Sequence, residues 1–281
     1  MTNAWIIARN TFREAVRDRV LYAILVFAVV AIGGSKAIGW VMVGEDIKVM
    51  TDIGFASVAF FSVLIAIFVG TGLVHREIDK KTLYTVLARP VHRWEFLVGK
   101  YAGLMLTVLV NMAIMSVLFL VYLRIMGLVT VAGTDNVAPP VLTYMNLQAL
   151  VLTAAELAVV TAIAVFFSSA STPILSAILT TIAYAAGHTS DWIMIMVEML
   201  RPAPGAELTF WQWLGQWILT AVYYLVPNLE IYNIRNLAVH SELVSVQPLA
   251  FWHFTDTCAT AICWVLVAML LSVLVFGRRE L

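Results

Sequence analysis

Six stretches of mostly apolar residues dominate the chain, at positions 20–43, 54–74, 101–126, 146–167, 173–200 and 257–276. An α-helix needs about 20 such residues to cross a hydrocarbon core about 30 Å thick. A segment in lipid must satisfy its own backbone hydrogen bonds. The pattern therefore predicts an all-α integral membrane protein with six transmembrane helices. Hydrophobic residues are 62% of the 281 positions and charged residues 12%, where soluble domains carry about 25% charged residues. That balance excludes an ordinary soluble enzyme and a disordered chain. Lys plus Arg and Asp plus Glu number 17 each, so the basic stripe of a nucleic-acid binder is also absent. The first stretch is the weakest, because Gly33, Gly34, Ser35 and Lys36 follow its clean run. We extend it to position 43 with Lys36 snorkelling to the surface. No small-residue cleavage site follows, so it reads as a retained span.

Charge placement orients these spans. Arg9, Arg13, Arg17 and Arg19 precede the first, six Lys and Arg lie in the 75–100 connection, and Arg278-Arg279 follow the last. Six crossings put all three groups on one side, with twelve of the 17 basic residues. By the positive-inside rule that side is the cytoplasm. The expected location is the inner (cytoplasmic) membrane with both termini cytoplasmic. Net charge is then +6 on the cytoplasmic segments and −5 on the external ones, and Glu156 alone falls within the bilayer. A seventh apolar stretch, 210–226, interleaves Trp211, Trp213 and Trp217 with Gln212 and Gln216. Aromatics of this kind concentrate at headgroup level. It reads as an interfacial or re-entrant helix within the external segment 201–254, and a spanning helix is the alternative.

The whole chain reads as one transmembrane domain, 1–281. Residues 1–19 form a cytoplasmic amphipathic helix, with Trp5, Phe12 and Val16 on an apolar face beside Ala8 and Ala15. In the 75–100 connection, Leu83, Val86 and Leu87 recur at helical spacing until Pro90, after which a helix from Arg93 feeds the third span. This is a cytoplasmic helix–break–helix with a charged rim, and Arg89, Arg93 and Lys100 are placed to meet lipid phosphates or acids of a partner. Residues 168–173 make a tight turn between spans four and five.

Chemistry is sparse. No phosphate-cradling glycine loop, H-E-x-x-H or G-x-S-x-G motif occurs. Cys258 and Cys263 are five apart in an apolar run and read as small buried hydrophobes. Methionines 194, 196 and 199 read as ordinary filling of an apolar helix. Glu156 sits mid-span, where an ionisable group is costly and faces the bundle interior. It reads either as a substrate contact or latch, or as one end of a hydrogen bond to a neighbouring helix, with Asn111 the candidate partner. His188 and Asp191 lie at i, i+3 and share a face. They read as an interfacial pair or a site for a cation or headgroup.

Four stretches carry a resemblance. They are Ala8-Arg9 with Thr11-Phe12 and Glu14; Glu77 with Thr82-Leu83, Leu87, Arg89-Pro90-Val91, Arg93-Trp94-Glu95-Phe96-Leu97 and Gly99-Lys100-Tyr101; Glu156 with Ser168-Ser169 and Pro173; and Tyr224-Leu225-Val226-Pro227-Asn228-Leu229-Glu230 with the closing Phe276-Gly277-Arg278-Arg279-Glu280-Leu281. Together they resemble the permease subunit of ABC-2 type transporters, and within it the branch typified by the permease of nitrous-oxide-reductase maturation. Many members have glycine before the Thr-Leu pair, where this chain has Lys81. The resemblance implies a permease dimer, taken here as a homodimer, carrying two copies of an ABC ATPase subunit. It implies no cofactor in this chain, with ATP and Mg in the partner. It also implies that the 75–100 connection is a coupling segment seated on the ATPase through Glu77, Thr82, Leu83, Leu87, Arg89, Pro90 and Arg93.

The expected function is a non-catalytic permease of an ATP-binding-cassette transporter, embedded in the lipid bilayer, that couples a partner's ATP hydrolysis to export. The alternative is a force-transmitting subunit serving an external metalloprotein or accessory protein. An intramembrane enzyme built on Glu156, His188 and Asp191 is the remote third reading, since such sites want recurrent ligands on two helices.

Overall fold

The computed structural model describes residues 3–39, 46–79, 92–131, 144–201, 209–234 and 251–278. Among these residues every regular element is a helix. They are α1 (Asn3–Val16), α2 (Arg19–Gly39), α3 (Asp46–Asp79), α4 (Arg93–Val131), α5 (Tyr144–Ala170), α6 (Pro173–His188), α7 (Ser190–Met199), α8 (Phe210–Leu225), a 3-10 turn (Glu230–Tyr232) and α9 (Phe251–Arg278). Five of them, α2, α3, α4, α5 and α9, are long and apolar enough to cross a bilayer.

α5 is the centre. It packs against α3, α4, α6 and α9, and sixteen of its 27 residues are buried. Apolar residues all round suit such a position, with most faces against other helices and Leu147 and Val151 on the exposed side. α3 has 34 residues and α4 has 39. At 1.5 Å per residue they measure about 51 Å and about 58 Å, so both outrun the hydrocarbon core. Phe55 of α3 and Phe119 of α4 meet edge-to-face at 5.1 Å within the shared core.

α1 turns into α2 through Arg17 and Asp18 alone. The Asp18 carboxylate accepts the Val20 N–H at 3.0 Å and caps α2. The helix expected at 1–19 forms over Asn3–Val16, and the small residues of its expected apolar face make the closest packing. Ala8, Thr11 and Ala15 are buried, whereas Trp5 is 55% exposed. The reason lies in α4, which presents Gly99 and Gly103 one turn apart. A Cβ on Gly99 would lie 2.7 Å from the Ala4 carbonyl oxygen, and one on Gly103 would meet the Ala8 carbonyl oxygen and Thr11. Two glycines four apart let the backbones approach closely, so the small-residue stripe docks, with Phe12 and Val16 half-buried beside it and Trp5 turned outward.

The expected span 173–200 is broken. α6 ends at His188 and α7 begins at Ser190. The Thr189 hydroxyl donates back to the Ala185 carbonyl at 3.0 Å, and the Ser190 hydroxyl to the Gly187 carbonyl at 3.1 Å. Short polar side chains compete in this way with the helical ladder, and Gly187 weakens it further. α8 forms where the Trp-rich stretch lies, buries none of its residues and leans on α7. The 168–173 turn is as tight as expected, with Ser171 and Thr172 alone between α5 and α6.

Candidate functional site

α5 and α6 are antiparallel neighbours joined by that two-residue turn. Glu156 lies fourteen residues back from the end of α5, and His188 fifteen residues along α6. Both distances are about 21–23 Å of helix rise, which brings the two side chains level. His188 Nε2 is 2.9 Å from Glu156 Oε1. On the other edge of the ring, His188 Nδ1 is 3.1 Å from Glu230 Oε2. Tyr184, one turn back on α6, meets the imidazole edge-on at 4.7 Å.

Glu230 arrives on irregular backbone that follows α8. The Leu229 N–H donates to the Gly187 carbonyl at 3.0 Å, which satisfies an oxygen freed where α6 stops. Gly187 permits this approach, since a Cβ there would lie 2.7 Å from the Pro227 carbonyl oxygen and 2.6 Å from the Leu229 side chain. Asn228 Oδ1 accepts the Glu230 N–H at 3.0 Å, and Asn233 Nδ2 donates to Glu230 Oε1 at 3.1 Å. Leu229 and Tyr232 are fully buried beside Glu230, and the Tyr232 hydroxyl lies 3.4 Å from Thr260 Oγ1 of α9. The segment 227–234 is thus wedged among α5, α6 and α9. Non-helical backbone at bilayer depth is tolerated where protein covers it.

The Glu156–His188–Glu230 chain corrects two expectations. Asn111 is not the partner of Glu156; its side-chain amide donates to the Thr107 carbonyl of its own helix at 2.7 Å. Asp191 does not pair with His188, because the break at Thr189 carries it onto α7, where it is exposed. Glu230 is the residue that sequence reasoning left out of the site. The two carboxylates sit on opposite edges of one ring, so they share no point at which a metal would be held, and no metal-holding group of three His, Cys, Asp or Glu occurs among the described residues. The arrangement can hold and pass protons.

On the other face, Glu77 falls in the last turn of α3 and Arg93 opens α4. The side chains of both, and Thr82, Leu83, Leu87, Arg89 and Pro90 with the expected break, lie outside the described residues. Lys100 does not reach lipid phosphates. It is 2% exposed, with Nζ 5.8 Å from the centre of the Phe96 ring, which stacks on Phe276 of α9 at 5.9 Å. Glu95 closes the start of α4. Its Oε2 accepts the His92 N–H and the Asn3 side-chain amide, each at 3.2 Å.

The profile of the family described as ABC-2 family transporter protein matches residues 17–185, well over half of the chain. The chain belongs to the ABC-2 transporter family. It is accordingly a multi-pass membrane protein and the permease type of an ABC transporter, a subunit that typically carries no catalytic site. An ABC ATPase partner goes with ABC-2 permeases in general. The match includes Glu156 and stops before His188 and Glu230. No curated protein matches this ABC-2 permease.

Proposed function

We propose that this permease works as a dimer of identical copies with two separate ATPase subunits, which bind ATP and Mg, and that residues 75–100 couple ATP-driven motion to export across the inner membrane. The observation that carries this reading is the pair of helices flanking positions 80–91. α3 and α4 both run far past bilayer thickness and share one core with α5. A push on the segment between them would act on two long levers. α4 would carry α1 with it, through the glycine contact and the Asn3–Glu95 hydrogen bond. Six crossings, with α6 and α7 together as the fifth, keep both termini and the basic segments cytoplasmic.

Charge reversal by Glu77→Lys, or Leu83→Asp, should abolish co-purification with the ATPase in mild detergent and the activity of the assembled complex. Normal assembly and full activity in both variants would overturn the assignment.

The finer reading places the chain in the nitrous-oxide-reductase maturation branch, transmitting force to an external metalloprotein or accessory partner. It is favoured by the 224–230 stretch, which carries part of that resemblance and also supplies Glu230 to the histidine chain. Affinity purification should then recover an external protein along with the ATPase. Recovery of the ATPase alone would favour export of a cargo.

A further inference from the structure

We propose that Glu156, His188 and Glu230 form a proton-operated latch, in which two shared protons hold the 227–234 segment against α5 and α6, and loss of one to solvent frees Glu230 from His188. This goes beyond the permease reading and does not depend on the ATPase.

Proton counting carries the inference. Ionised carboxylates only accept hydrogen bonds, and neutral imidazole has one N–H. Contacts at 2.9 Å and 3.1 Å on the two ring nitrogens therefore need two protons among the three groups. They are an imidazolium between two carboxylates, or a neutral imidazole with one carboxylic acid. Remove one proton and a ring lone pair faces a carboxylate oxygen, so one contact must open.

Exposure decides which. The side chains are 5% exposed at Glu156, 18% at His188 and 36% at Glu230. Glu156 has no other donor among the described residues, and a buried carboxylate without one is costly. Glu230 keeps the Asn233 amide and can add water. The remaining N–H thus stays on Nε2 toward Glu156, and the Glu230 contact opens.

Other titratable groups face this chain. Tyr184 of α6 lies against the ring; Tyr232, two residues after Glu230, is within electrostatic reach of Glu156 and of the Cys258 thiol of α9; Asp191 follows on α7. Among the described residues no lysine or arginine pairs with either carboxylate. The latched form binds one proton more than the open form, so rising pH favours opening.

The test is amide hydrogen exchange of the full-length chain in lipid nanodiscs at about pH 5.5 and about pH 8.5, either side of the ordinary imidazole range. Corrected for the intrinsic pH dependence of exchange, protection of the 228–234 amides should fall about tenfold at the higher pH, the worth of a charge-assisted hydrogen bond. Amides in the middle of α5 should not change. Glu230→Gln should remove the pH step, because the glutamine amide can offer Nδ1 either its carbonyl or its NH2. Asp191→Asn should keep the step. A flat wild-type profile, an unchanged step in Glu230→Gln, or loss of the step in Asp191→Asn would each overturn the latch.

Discussion

Glu156 is a buried acid in the central helix of the bundle, and one imidazole nitrogen is its hydrogen-bond partner. Truncation should therefore act through His188 more than through the volume removed. Glu156→Ala leaves Nε2 without a partner at that depth and should cost about 2 kcal/mol; Glu156→Gln keeps an acceptor in reach and should cost less than about 1 kcal/mol. Thermal unfolding in nanodiscs followed by tryptophan fluorescence would rank the two, and equal losses would mean that the bond contributes nothing. That Glu156 needs a partner is legible in the sequence, since mid-span ionisable groups are expensive. Which partner is not. Asn111 also lies within a span, and the choice turns on helix rotation and on where α6 stops. The i, i+3 pairing of His188 with Asp191 failed for the same reason: it assumed a helix that the Thr189 and Ser190 hydroxyls interrupt.

At the scale of elements, apolar runs revealed where helices lie, because lipid leaves few alternatives. Averaged over a span-length window the 173–200 stretch stays apolar, so the break did not divide it; the local signal was the polar Gly-His-Thr-Ser-Asp string at 187–191. On α1, Ala8 and Ala15 of the expected apolar face are buried and Trp5 is not, because amphipathicity ranks residues by hydrophobicity, whereas helices in contact with membrane spans choose small ones. Gly103→Leu tests this. Its side chain would collide with Ala8 and Thr11, an overpacking worth about 1–3 kcal/mol. α1 should detach, making its peptide bonds cleavable by protease while the core helices survive. Gly34→Ala is the control. Among the described residues, nothing beyond its own helix backbone and chain neighbours lies within 4 Å of a Cβ built there, and the exchange should be neutral or stabilising by up to about 1 kcal/mol. Continued protection of α1 in Gly103→Leu would show that α1 is held elsewhere.

For the whole molecule, the question is whether α6 and α7 cross the membrane or turn back within it. α6 alone rises about 24 Å and falls short of the hydrocarbon core, but with the ten residues of α7 the path reaches about 39 Å, enough for a bent crossing. A turn back would leave five crossings and carry Arg278 and Arg279 to the outside, against the bias of the basic residues. The two alternatives separate cleanly by labelling. With Cys258 and Cys263 replaced by alanine, single cysteines at Arg9, Ser171 and Thr209 would be challenged with a membrane-impermeant maleimide on intact and on opened membranes. Six crossings predict that Thr209→Cys labels from outside, while Arg9→Cys and Ser171→Cys label only after opening. A tag following Leu281 should then be reachable only from the cytoplasm. Labelling of Thr209→Cys only after opening, with an externally reachable tag, would instead make α6 and α7 a re-entrant hairpin. Either outcome also fixes the side to which Glu230 opens, and so which compartment's pH the histidine chain can sense.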